Sequence, residues 1–180
     1  MHTIIIPERE LFNEETGEFI VFKEKKLQLE HSLISLSKWE EKWNKPFFSK
    51  EEKTYEETID YFRCMTITPN VDPEIYNYLT NENVEEIKRY IDAPMTATTF
   101  SKKEESKFNR EIITNEIIYY WMISLQIPVE FQKWHLNKLL TLIRVCNIKN
   151  QPEKKRSKRD ILRNNAAINA ARRQKMNSKG

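Results

Sequence analysis

Residues 110–149 read REIITNEIIYYWMISLQIPVEFQKWHLNKLLTLIRVCNIK. Ile117, Ile118, Tyr119, Tyr120, Trp121, Met122, Ile123 and Leu125 leave almost no polar side between 110 and 127, and this predicts a central helix buried all round. Pro128 stops that run and restarts the chain. From 130 to 149 the pattern becomes one-sided. Leu136, Leu139, Leu140, Ile143 and Cys146 share an inner stripe, whereas Lys133, Asn137, Thr141 and Arg144 lie outside it. Two helices packed antiparallel at the centre of a mainly α fold are therefore expected.

Upstream, the residues at 3–6 and 19–22 are β-rich runs about a polar turn at Thr16 and Gly17, and 26–30 alternates with Leu27 and Leu29 on one side. The first 30 residues read as a small hairpin or sheet that must lean on a helical body over 31–149. Ser32 caps a helix carrying Leu33, Leu36 and Trp39, which ends before Pro46. Ser49 through Glu52 has a capping-box pattern, opening a helix with Tyr55, Ile59, Phe62 and Cys64 turned inward and Pro69 as its end. Asp72 before Pro73 starts another short segment, Asn83 with Glu85 and Glu86 starts a helix through Ile91, and 93–107 reads as a connecting loop.

The 180 residues are 39% hydrophobic and 32% charged, which suits one folded domain with an appendage. The two glycines, Gly17 and Gly180, are too few for a phosphate-cradling loop or a dinucleotide fingerprint. Cys64, Cys146, His2, His31 and His135 have no zinc-ligand spacing and suggest no disulfide framework, so neither metal nor cofactor is expected. Pro7, Glu8, Arg9 and Glu10 interrupt the start where a secretory signal would be apolar, and no run reaches the roughly 20 residues of a membrane helix, so a soluble protein of the reducing cytoplasm is expected.

No catalytic set emerges. His135 with Cys64 or Cys146 could form a nucleophile pair, but both thiols also read as buried structural groups. Glu40 with Glu41, Glu56 with Glu57 and Glu85 with Glu86 are helix neighbours that diverge by about 100° and cannot share a substrate. His31 reads as a local hydrogen-bonding group. The aromatics Tyr119, Tyr120, Trp121 and Trp134, with Phe131, could line a groove for another chain's apolar helix or simply fill the core.

Charge is divided. Residues 149–180 hold eleven Lys and Arg against two acids, 11 − 2 = +9, leaving 19 − 25 = −6 for the remainder. The segment 150–180 therefore reads as a basic, loosely attached helix whose Ala166, Ala167, Ala170 and Ala171 favour helix but bury little. Lys154, Lys155, Arg156, Lys158, Arg159, Arg163, Arg172, Arg173 and Lys175 could contact an acidic protein partner or nucleic-acid phosphates. RNNAAINAARR at 163–173 differs from a leucine-zipper basic region in the register of its Asn and Ala residues, and no leucine heptads follow.

Four stretches together carry a resemblance: LQLEHSL at 27–33 continuing to WEEKW at 39–43, EIIYYWM at 116–122, QKWHLNKLLTLIRVCN at 132–147, and the basic Ala/Asn/Arg end. In these the chain resembles the tail assembly chaperones of tailed bacteriophages, over most of its length. The resemblance implies a non-enzymatic protein of the host bacterial cytoplasm that binds the tape-measure protein, helps recruit tail-tube subunits and is absent from the finished virion. Many members of that family also have a longer frameshifted form. A structural virion protein of the tail or head-tail junction, and a nucleic-acid-binding protein using the basic tail, remain as alternatives. Self-association is a further expectation; membrane binding is not.

Overall fold

A computed structural model describes residues 1–13, 18–100, 112–150 and 158–176. The fold is mainly α, with a small antiparallel β element at its start. Strand β1 (His2–Ile6) pairs with β4 (Lys25–Leu29), setting Ile4 opposite Leu27, and β2 (Arg9–Asn13) pairs with β3 (Glu18–Phe22) inside that loop. Strand β2 has no apolar alternation to announce it, since Arg9, Glu10 and Asn13 occupy it; the pairing supplies its order. The expected turn at Thr16 and Gly17 lies outside the described residues. Ile4, Ile6, Leu27 and Leu29 are buried while Thr3, Ile5, Lys26 and Gln28 face out, the two-residue period of a one-sided ladder. The free edge of β4 is covered: the Ile67 N–H donates to the Gln28 carbonyl at 2.8 Å and the Glu30 N–H to the Met65 carbonyl at 2.9 Å.

Helix α1 (Leu33–Trp43) starts at Ser32, whose hydroxyl accepts from the Ser35 N–H, and ends at Asn44, a left-handed residue with φ 51°. It serves two cores. Trp39 belongs to the first, with the strands, Ile59, Phe62, Met65, Ile75 and Ile87. Leu33 and Leu36 belong to the second, with Ile118 and Met122 and with Leu136, Leu139 and Ile143. Between these, WEEKW holds its neighbours by polar contacts. Trp39 Nε1 donates to the Glu57 carbonyl at 2.8 Å, Trp43 Nε1 to Asp60 Oδ2 at 2.9 Å, and Lys42 pairs with Asp60.

Helix α2 (Tyr55–Met65) does not use the Ser49–Glu52 pattern. Its box is Thr54 with Glu57: the Glu57 N–H reaches the Thr54 hydroxyl at 3.2 Å and the Thr54 N–H reaches Glu57 Oε2 at 2.8 Å. The helix carries Ile59, Phe62 and Met65 together into the first core. Tyr55, expected inside, sits in the first turn and is 74% exposed; Cys64 is half-buried. The helix closes at Met65, before Pro69 is reached. A 3₁₀ segment, Pro73–Tyr78, follows its Asp72 cap. Helix α3 (Asn81–Asp92) begins two residues before the expected Asn83, at a Thr80/Asn83 box, and Asn83 Nδ2 also donates to the Ile5 carbonyl at 3.0 Å.

Helix α4 (Asn115–Ser124) is shorter than the expected 110–127, and residues 110 and 111 lie outside the described part. It ends at Ser124 because Gln126 turns left-handed, φ 55°. After the 3₁₀ segment Val129–Lys133, helix α5 (Leu136–Asn150) supplies the third wall of the second core. Thus α4 and α5 meet in a cluster completed by α1, in place of a two-helix pair at the centre. The chain divides into compact units Met1–Asn147 and Ile148–Gly180. The second contains helix α6 (Lys158–Met176), whose described side chains are all exposed.

Replacing Thr54 with Ala removes one half of the α2 box. Thermal unfolding should show a loss of about 1 kcal/mol, read as a lower midpoint with unchanged helical content. An unchanged midpoint would mean that α2 gains nothing from the box.

Candidate interaction surface

The position of α4 depends on a buried carboxylate. Glu40, 7% exposed on α1, accepts from the Phe47 N–H at 2.6 Å through Oε1, and from the Asn115 N–H and Nδ2, each at 2.7 Å, through Oε2. Charge-assisted bonds of this kind stabilise most when the acceptor is out of water. Here they fix the first residue of α4 against α1. Beside them opens a cleft of about 460 Å³ lined by Glu40, Glu41, Lys45, Asn115 and Glu116 among others. Lys45 is already paired with Glu57 at 2.6 Å. Hydrogen bonds from Thr114 and from the helix start hold the Glu116 carboxyl below its ordinary range, so it stays ionised at neutral pH.

With Ile118 and Met122 turned into the core, helical geometry sends Glu116, Tyr120 and Ile123 to the opposite side, at i, i+4 and i+7. Tyr120 is 66% and Ile123 77% exposed. Burial on all sides is therefore not what happens: ten residues, about 15 Å of helix, are covered from one direction only. Ile112 before the helix and Val129 after it are exposed as well.

The other nominated aromatics are differently employed. Tyr119 is half-buried and its hydroxyl donates to Gln132 Oε1 at 2.9 Å. Trp121 packs partly buried against the second core. Trp134 stacks on Phe131 with ring centres 4.0 Å apart, and Lys138 Nζ, from the first turn of α5, lies 4.1 Å from its ring. Ile123 escaped the sequence reading because an unbroken apolar run hides which side is outward; once Ile118 and Met122 are placed, the 100° step finds it.

Of the basic candidates, Lys154, Lys155 and Arg156 lie outside the described residues, and Lys158 opens α6. Arg159, Arg163, Arg172, Arg173 and Lys175 are exposed along that helix. At 100° per residue, Arg159, Arg163 and Arg173 gather on one side, with Arg172 and Lys175 well away from it. Leu162 and Ile168 are exposed between them.

The groups that might have carried chemistry are occupied structurally. His31 Nδ1 lies 2.5 Å from the Tyr61 hydroxyl, and its ring meets that of His135 edge-on at 5.0 Å. His135 Nε2 is 3.0 Å from the Tyr90 carbonyl, which can only accept, so the proton sits on Nε2 and leaves Nδ1 a buried lone pair. Burial, with the neighbouring His135, lowers the His31 pKa to about 3; burial lowers that of His135 as well. Burial pushes the Cys64 thiol up to about 11, away from the reactive thiolate. The neighbouring acids diverge: Glu57 is buried beside exposed Glu56, Glu85 lies 3.6 Å from Lys88, and Glu86 lies 2.9 Å from His2. Among the described residues there is no cluster suited to a metal ion, and no helix long and apolar enough to cross a membrane. No protein-family model, curated protein or solved structure matches the chain.

The histidine pair makes stability depend on pH with a definite sign. Both rings are neutral when folded, but in the unfolded chain each binds a proton near its ordinary value of about 6.5. Stability is thus complete above that value and falls progressively as pH drops from about 6.5 toward 3, because only the unfolded state is gaining protons. Urea midpoints should be level between about pH 7 and 8 and decline below 6. In a His31→Gln variant the decline between about pH 6 and 5 should be shallower by about one proton; an identical slope would contradict the assignment.

Proposed function

We propose that this chain is a non-enzymatic tail assembly chaperone of a tailed bacteriophage, binding the tape-measure protein and assisting tail-tube assembly. The observation that carries the reading is the outward face of α4. EIIYYWM, one of the stretches bearing the resemblance, keeps Ile118 and Met122 for the core and leaves Tyr120 exposed, with Ile123 following it. A tape-measure protein presents long helical apolar stripes until the tube encloses it. A helix face with an aromatic and an aliphatic group in the open can cover such a stripe in a helix-to-helix contact. The basic α6 would steer the encounter with acidic surfaces. In this reading the protein works in the host cytoplasm and leaves before the virion is complete.

The exposed α6 supports a second reading, a structural component of the tail or head-tail junction in which that helix becomes an ordered subunit contact. Mass spectrometry of purified virions separates the two: stoichiometric copies favour the component, and absence favours the chaperone.

Co-expression with the tape-measure protein of the same gene cluster should move that protein from the insoluble to the soluble fraction, and the two should co-purify. Failure of both would sink the chaperone reading. A nucleic-acid role for α6 would require duplex binding that weakens steeply with salt, and no measurable binding at about 50 mM salt would remove it.

A further inference from the structure

We propose that the outward face of α4 is a docking site for an amphipathic helix whose apolar stripe is preceded or followed by Lys or Arg, with the basic side chain entering the Glu41/Glu116 cleft. This gives the chaperone reading its surface and rests on it for the identity of the natural partner. Two features of the face point to that chemistry. Its middle is apolar, with Tyr120 and Ile123 one turn apart and mostly in solvent, an arrangement that gains from being covered. Its N-terminal end is acidic.

The acidity is local, and the Glu116 carboxylate keeps its charge while accepting from Thr114 and the start of its own helix. Among the described residues lining the cleft, Glu40 has both oxygens engaged by Phe47 and Asn115, and Lys45 is paired with Glu57. Glu41 and Glu116 remain at the exposed rim, where hydrogen bonds at the helix start keep Glu116 ionised. A cleft of about 460 Å³ has room for a Lys or Arg side chain. An acidic helix would meet two like charges there, so charge selects the partner while Tyr120 and Ile123 supply contact area. Three turns of a partner helix, about 15 Å, match the length of α4. Its apolar residues at i, i+3 and i+7 would lie along Tyr120 and Ile123, with the basic residue one turn away toward Glu116.

The test uses the full chain and two fluorescent peptides of about 18 residues, equal in helical periodicity, one built of Leu and Lys and the other of Leu and Glu. The Leu/Lys peptide should bind and the Leu/Glu peptide should not. Ile123→Asp should weaken the Leu/Lys complex about tenfold, Tyr120→Ser should weaken it in the same direction, and Glu116→Lys should transfer preference to the Leu/Glu peptide. Since Tyr120 and Ile123 are exposed, unfolding midpoints of those two variants should stay near that of the parent chain, which separates lost binding from lost folding; Glu116→Lys is read by its change of preference between the two peptides. Equal binding of both peptides would overturn the charge selection, and undiminished binding by Ile123→Asp would overturn the surface. Sedimentation of the parent and of Ile123→Asp reads a second copy as occupant: a shift in oligomeric state without peptide binding also overturns the proposal. Tape-measure solubility keeps the two ideas apart. If Ile123→Asp still rescues it, the surface falls and the chaperone reading stands; if the parent chain fails to rescue it while the peptides behave as described, the chaperone reading falls alone.

Discussion

The carboxylate of Glu40 is the polar contact that ties the start of α4 to α1. A carboxylate nearly removed from water must be matched by donors, and this one finds three, on Phe47 and Asn115. The match ties the first residue of α4 to α1. A helix rotated by one residue, about 100°, would turn Ile123 toward the core and Met122 away from it. The buried acid and the packing of Ile118 and Met122 together leave Tyr120 and Ile123 in solvent.

Helix α1 is the shared wall between two cores. Leu33 and Leu36 feed the cluster formed with α4 and α5, while Trp39 is sealed among the strands, α2 and α3. Both indole N–H groups of WEEKW find acceptors on α2, and Lys53 lies 4.0 Å from the Phe47 ring and 5.5 Å from that of Trp39. The work of these residues is to hold elements together. EIIYYWM, by contrast, divides its side chains between core and solvent.

Much of the fold was legible because its signals are local. A β-branched run identified β1 and alternation β4, the Ser32 hydroxyl marked the start of α1, and the stripe of α5 separated Leu136, Leu139 and Ile143 from the outer residues. Local signals also misled where two candidates competed. The Ser49–Glu52 pattern has the form of a capping box, yet the helix begins after Thr54, whose own box with Glu57 is the one that forms. Strand β2 was invisible because its order comes from backbone pairing with β3, to which polar side chains contribute little.

The candidate surface was half legible. Sequence alone determined that this chain has an acidic body, a basic helical end, one strongly apolar stretch after residue 115, and no glycine-rich loop of the kind that binds nucleotides. It also placed Tyr120 among the contact candidates. Tertiary structure decided that Tyr119, Trp121 and Trp134 are largely committed within the body, that Ile123 stands open on the same face as Tyr120, and that Glu41 and Glu116 line a cleft at the start of that helix. The physical reason is that hydrophobicity records the gain from leaving water but carries no direction. When every position of a helix is apolar, only the neighbours that actually pack against it, and the buried acid that ties down its start, choose the side left to meet another molecule.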